Sequence, residues 1–150
     1  MKVTILGTGA YGISLALMFN KNTKNITMWT KFIDELEMLE KKRENKKVLP
    51  GIKIPENIKF TDNMKDAIKD SELIVIAIPA AFCDDVFSEL RDYIKKEQHI
   101  CIATKGIEQD TCLFITDVLD KYIKTKNVAV ISGPSFAIDI ASNVPIGLSL

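Results

Sequence analysis

The opening of the chain changes its hydrophobic period within a few residues. Val3, Thr4, Ile5 and Leu6 form a short, mostly β-branched run with strand composition. It stops at glycine, after which Ile13, Leu15, Ala16, Leu17 and Phe19 supply a broad apolar face at helical spacing. The prediction is strand, tight turn, helix. The same change of period then repeats. Ile26 to Trp29 predicts a second strand, Phe32 to Glu44 with Leu36 and Leu39 a helix, and Ile58 to Phe60 a third short strand. Met64 to Lys69 predicts a short helix capped by Thr61 or Asp62. Leu73 to Ile78 is an unbroken β-branch-rich run, of the kind buried on both faces of a parallel sheet. Pro79 ends it and opens a helical segment through Phe82, Val86, Phe87, Leu90 and Ile94. Strand His99 to Ala103, a helix from about Asp110 to Tyr122, strand Asn127 to Ile131 and a short helix ending near Ser142 follow. Pro145 to Leu150 begins another strand and stops within it, so the chain is expected to be a fragment of something larger.

Alternating βα units favour an α/β fold with a doubly wound, mostly parallel sheet and helices on both faces. The 150 residues, 47% hydrophobic, fit one domain with a sizeable core. The connectors are polar or turn-rich. Lys41 to Lys47 is basic but has no interleaved aromatic residues for stacking on bases, and reads as a solvated helix end. Leu49 to Pro55 carries two prolines and a glycine, which fix a turn-rich segment.

Charge removes several function classes. Twenty basic and twenty acidic residues cancel, so no global field favours nucleic acid or an anionic membrane. No apolar stretch is long enough for membrane insertion. Cys83, Cys101 and Cys112 lack disulfide-framework or paired metal-ligand spacing, and His99 is the only histidine. The expectation is a cytoplasmic protein with free cysteines and no metal.

The candidate chemistry begins at Gly7-Thr8-Gly9-Ala10-Tyr11-Gly12, which has the spacing of a dinucleotide-binding fingerprint between strand and helix. Gly7 suits the tight turn, Gly9 leaves main chain bare for a pyrophosphate, and Gly12 permits close packing of helix on strand. The other reading is a purely structural turn. In NAD-specific versions a carboxylate about 20 residues beyond the glycines holds the ribose. Here that place falls on Trp29-Thr30-Lys31, and Lys31 leaves both NAD and NADP open, with Asp34 and Glu35 close by. Pro79, Lys105, and the Gly133 to Ser135 loop each follow a predicted strand, at the sheet edge where ligands sit in open α/β folds. An ammonium there can hold an anionic substrate and stabilise charge developing on oxygen.

These motifs, together with Leu49-Pro50-Gly51, Pro55-Glu56-Asn57-Ile58, Ala103-Thr104-Lys105-Gly106-Ile107-Glu108 and Ser132-Gly133-Pro134-Ser135-Phe136-Ala137, resemble the amino-terminal half of bacterial NAD(P)-dependent glycerol-3-phosphate dehydrogenase. The resemblance runs over essentially the whole chain. It implies that residues 1–150 form a Rossmann-like NAD(P)-binding domain and that a helical substrate domain lies beyond them. It further implies hydride transfer between NAD(P)(H) and sn-glycerol 3-phosphate or dihydroxyacetone phosphate, in cytoplasmic glycerophospholipid synthesis. The partner is then a small phosphorylated triose or glycerol, and a homodimer of the full-length enzyme is compatible with it. Gly7, Gly9, Ala10, Tyr11, Gly12, Lys31, Pro79, Lys105 and Ala137 are the implied cofactor contacts. Lys105, Gly133 and Ser135 are the implied substrate contacts, and Lys105 the catalytic residue.

Departures from the family pattern are Ala10 for serine, Tyr11 for tryptophan and Lys31 for arginine, the last losing a planar fork suited to a phosphate. The presumed second catalytic lysine falls beyond Leu150, so residues 1–150 are expected to bind cofactor and to be inactive alone. The alternative is a nucleotide-sensing module without catalysis.

Overall fold

A computed structural model describes residues 1–150. Six strands, β1 (Val3–Leu6), β2 (Ile26–Trp29), β3 (Ile58–Thr61), β4 (Leu73–Ile76), β5 (His99–Ile102) and β6 (Val128–Val130), form one sheet in the order β3-β2-β1-β4-β5-β6. Every neighbouring pair is parallel, with Leu6 opposite both Trp29 and Ile76. The strand order reverses direction between β1 and β4, which creates a crevice at their carboxyl ends. The doubly wound arrangement read from the sequence is therefore present.

The helices are α1 (Ala10–Phe19), α2 (Ile33–Lys42), α3 (Met64–Ile68), α4 (Cys83–Leu90), α5 (Ile115–Tyr122) and α6 (Ala137–Ala141). Strand side chains alternate between two cores, as a period of two requires. Val3, Ile5, Met28, Val75 and Cys101 pack with Ile13, Leu15 and Leu39 on the side of α1 and α2. Leu6, Trp29, Ile74, Ile76, Ile100 and Ile102 pack with α3, α4 and α5 on the other. Both faces are thus covered, which explains the uninterrupted apolar strands.

Several local readings are corrected. The cap of α3 is Asn63, whose side chain accepts the Asp66 N–H, and neither Thr61 nor Asp62. The run ending at Ile78 leaves the sheet after Ile76, and Pro79 caps a 3-10 turn at Ala80–Phe82 before α4 begins. Pro145 to Leu150 forms no strand of the sheet, only an isolated antiparallel bridge between Ser132 and Ser149. The basic run is not uniformly solvated. Arg43 ends α2 in a left-handed conformation, donates to the carbonyls of Ile54, Pro55 and Ile58, and lies over the Phe60 ring. It staples the Pro-Gly connector to the edge strand, while Lys41, Lys42, Lys46 and Lys47 remain exposed.

The helix predicted from Asp110 begins only at Ile115. The Glu108 carboxylate captures the N–H groups of Asp110 and Thr111 and the Thr111 hydroxyl at 3.1, 2.7 and 2.5 Å, and holds a turn where a helix would otherwise start. The Thr111 hydroxyl first, then the Asp110 and Thr111 amides, lower the Glu108 carboxyl from 4.5 to about 2. A depressed carboxylate stabilises the fold above its unfolded pKa and loses that contribution as pH falls through the folded one. The stability difference between wild type and Glu108→Gln should therefore be full near neutral pH and disappear between about 4.5 and 2, as read by denaturant unfolding across that range.

Candidate functional site

The crevice at the β1–β4 switch point is a cleft of about 560 Å³. Its floor is the turn from β1 into α1. Gly7 has φ +118°, and its N–H donates to Trp29 O at 2.9 Å. A Cβ on Gly7 would lie 2.4 Å from Ala77 O, and one on Gly12 2.4 Å from Gly7 O. Both glycines are demanded by the chain's own packing. Gly9 differs, since a Cβ there would meet nothing within 4 Å.

The N–H groups of Thr8, Gly9, Ala10, Tyr11 and Gly12 donate no hydrogen bond within the protein. A helix cannot pair its first N–H groups internally, and its dipole makes that end attractive to anions. The turn is therefore a cradle of donors with open space above Gly9, which fits the pyrophosphate of a dinucleotide.

The strand-end loops do converge. Lys105 Nζ donates to Ser135 O at 2.8 Å and sits 4.7 Å from the centroid of the Tyr11 ring. The Tyr11 hydroxyl lies 3.3 Å from Ser135 Oγ. The Ser14 hydroxyl lies 2.8 Å from Ala10 O and 2.6 Å from Ala137 O, tying α1 to α6. Gly7, Gly9, Ala10, Tyr11, Lys31, Pro79 and Lys105 line the cleft. Gly12, Gly133, Ser135 and Ala137 do not, although Ser135 adjoins it through Lys105 and Tyr11. Ser135 is buried, and Gly133 is already required where its Cβ would meet Gly147 O at 2.6 Å.

Sequence reasoning passed over other walls of the cleft. Phe32 and Phe82 line it while 58% and 48% exposed, so two large apolar surfaces face the space where a flat ring can lie. The signal was available: each aromatic follows the end of a strand, at the edge of a helical segment. Thr8 also lines the cleft, and its hydroxyl donates to Glu35 Oε2 at 2.7 Å.

The cysteines are all free. Burial pushes the Cys83 thiol up to about 11, with the Thr104 hydroxyl opposing, so it is a core residue with little thiolate. No helix is long and apolar enough to cross a membrane.

A parallel sheet in this order, with a glycine turn at its switch point and unpaired amides around the cleft, defines an α/β domain of the Rossmann type, the class that holds dinucleotides at this crevice. Residues 2–150 match the family model described as NAD-dependent glycerol-3-phosphate dehydrogenase N-terminus, and the chain belongs to that family. A glycerol-3-phosphate dehydrogenase [NAD(P)+] of Fusobacterium nucleatum is 40% identical over 147 residues, covering 97% of this chain and 44% of the relative. One from Neisseria meningitidis is 35% identical over 151 residues, 100% of this chain and 46% of the relative. The crystal structure of glycerol-3-phosphate dehydrogenase from Coxiella burnetii superposes with a TM-score of 0.88 at 26% identity, over 98% of this chain and 45% of that one. The chain thus spans a little under half the length of these relatives.

The glycine geometry separates architecture from ligand. Gly12→Ala should cost about 1–3 kcal/mol by overpacking, whereas Gly9→Ala should cost under about 1 kcal/mol. Urea denaturation of the two variants beside wild type checks the difference.

Proposed function

We propose that this chain is the coenzyme-binding domain of an oxidoreductase that interconverts sn-glycerol 3-phosphate and dihydroxyacetone phosphate with NAD(P)(H), serving glycerophospholipid synthesis in the cytoplasm. The observation that carries the reading is the row of unpartnered amides from Thr8 to Gly12 beneath the open space at Gly9. Family membership and the relatives' names support the substrate.

In this reading Gly7, Gly9, Ala10, Tyr11 and Gly12 hold the pyrophosphate against bare main chain. Lys31 and Pro79 border the coenzyme, and Ala137 lies behind the turn, where Ser14 ties it to α1. The nicotinamide, when bound, gives or takes the hydride. Lys105 is the catalytic cation: from its perch over Tyr11 it draws the phosphorylated substrate in and stabilises negative charge on the reacting oxygen. Gly133 and Ser135 form the substrate-side wall, with the Ser135 carbonyl steering the ammonium.

Positioning a substrate for hydride transfer requires groups on both sides of it. Residues 1–150 supply one wall, and a helical domain beyond them supplies the other together with a second lysine. The chain alone is a coenzyme binder with little or no turnover.

Fluorescence titration with NADH and NADPH should give saturable binding to wild type. Gly9→Val should weaken it at least ~100-fold with the circular dichroism spectrum kept. Undiminished affinity in the folded variant, or no saturable binding to wild type, rejects the coenzyme site. NADH oxidation with dihydroxyacetone phosphate should be negligible for residues 1–150 and restored in a chain of the relatives' length. Full activity from residues 1–150 rejects the need for the second domain, and a longer chain that binds coenzyme without turnover points to a nucleotide sensor.

A further inference from the structure

Of Asp34 and Glu35, the first two acids that follow Lys31 in the sequence, Glu35 is the one that lines the cleft. It lies in the first turn of α2, one helical turn past the strand end where an acid would ordinarily meet the ribose. Its carboxylate is held from three sides. Oε2 accepts the hydroxyls of Thr8 at 2.7 Å and Thr30 at 2.8 Å, and Oε1 accepts Asn45 Nδ2 at 2.9 Å. All three donors are at least 97% buried, so the carboxylate is fixed against the glycine turn on one side and the end of β2 on the other. No lysine or arginine pairs with it.

A carboxylate offers roughly four acceptor sites, and the protein fills three of them. The remaining one, on Oε1, is available to a hydroxyl donor in the cleft. A phosphate ester has no such donor when ionised and brings about two negative charges. The competing cation is Lys31, which is exposed on the same rim. Solvent and salt screen an exposed flexible ammonium more than they screen a carboxylate held between buried groups.

We propose that Glu35 sets coenzyme choice in this chain: its fixed carboxylate accepts a hydroxyl of the adenosine ribose and repels a phosphate at that place, so NAD(H) is taken in preference to NADP(H) despite Lys31. The proposal rests on the coenzyme-binding reading above and adds a selectivity residue to it. Thr8, Thr30 and Asn45 are positioning residues that act through Glu35. The same clamp joins the phosphate turn to the ribose side of the cleft, so both halves of the adenosine diphosphate are recognised by one connected group of side chains.

The test is a parallel titration of NADH and NADPH against wild type, Glu35→Gln and Lys31→Ala. Wild type should bind NADH ~10-fold or more tighter than NADPH. Glu35→Gln should narrow that ratio at least ~3-fold, chiefly by tighter NADPH binding, while Lys31→Ala leaves NADH favoured. Thr30→Val, which removes one of the hydroxyls that fix the carboxylate, should narrow the ratio in the same direction. This second variant keeps the test decisive if Glu35→Gln does not fold. Saturable binding of both coenzymes with NADPH equal or tighter, or an unchanged ratio in folded Glu35→Gln or folded Thr30→Val, overturns the role of Glu35 and leaves the dinucleotide site intact. Binding of neither coenzyme to wild type overturns the site itself and this proposal with it.

Discussion

The first turn of a helix carries amide hydrogens that the helix cannot use, and this fold leaves those of α1 facing a cleft. The surrounding architecture follows from keeping them there. The sheet must reverse its winding beside β1 so that no crossover helix covers the turn, and the β3-β2-β1-β4-β5-β6 order does this. The turn must also be tight enough to aim the amides outward. Gly7 supplies the left-handed backbone and lets Ala77 O approach, and Gly12 lets the helix settle onto the turn.

The same turn is braced from outside the sheet. Asn45 reaches the Glu35 carboxylate, which in turn receives the Thr8 hydroxyl from the glycine turn. Arg43, two residues earlier in the chain, anchors the connector through backbone carbonyls at Ile54 and Ile58. A segment that looks like a charged linker by composition therefore carries the support for the glycine turn. Its lysines face solvent and its Arg43, Glu44 and Asn45 face inward.

Strands, sheet class and glycine turn were legible in the sequence because each depends on local period and on main-chain sterics. The β-branched run Leu73 to Ile78 reads most simply as a strand covered on both faces, and Leu73–Ile76 is one, while the change of period at Gly7 marks the turn. The late start of α5 was not legible. Helix propensity between Asp110 and Phe114 competes with a carboxylate at Glu108 that satisfies the same amides first, and that outcome depends on geometry. The Arg43 staple and the Asn63 cap were hidden for the same reason. In the site, the sequence placed Lys105 and Ser135 on the ligand edge of the sheet. It did not indicate that Tyr11, 124 residues before Ser135, would stand between them as the platform for the ammonium.

A glycine carries information about a ligand only where the protein itself has no use for it. Gly133 fails that test, because the carbonyl of Gly147 occupies the space a side chain would need. Gly7 and Gly12 fail it too, each being hemmed in by backbone oxygen. Gly9 passes: its backbone, at φ −70° and ψ 176°, is open to any residue, and no atom of the chain opposes a Cβ. Folding alone would tolerate a side chain there, so the main chain at that point is left open to whatever the cleft receives. The adjoining unpaired amides favour an anion there.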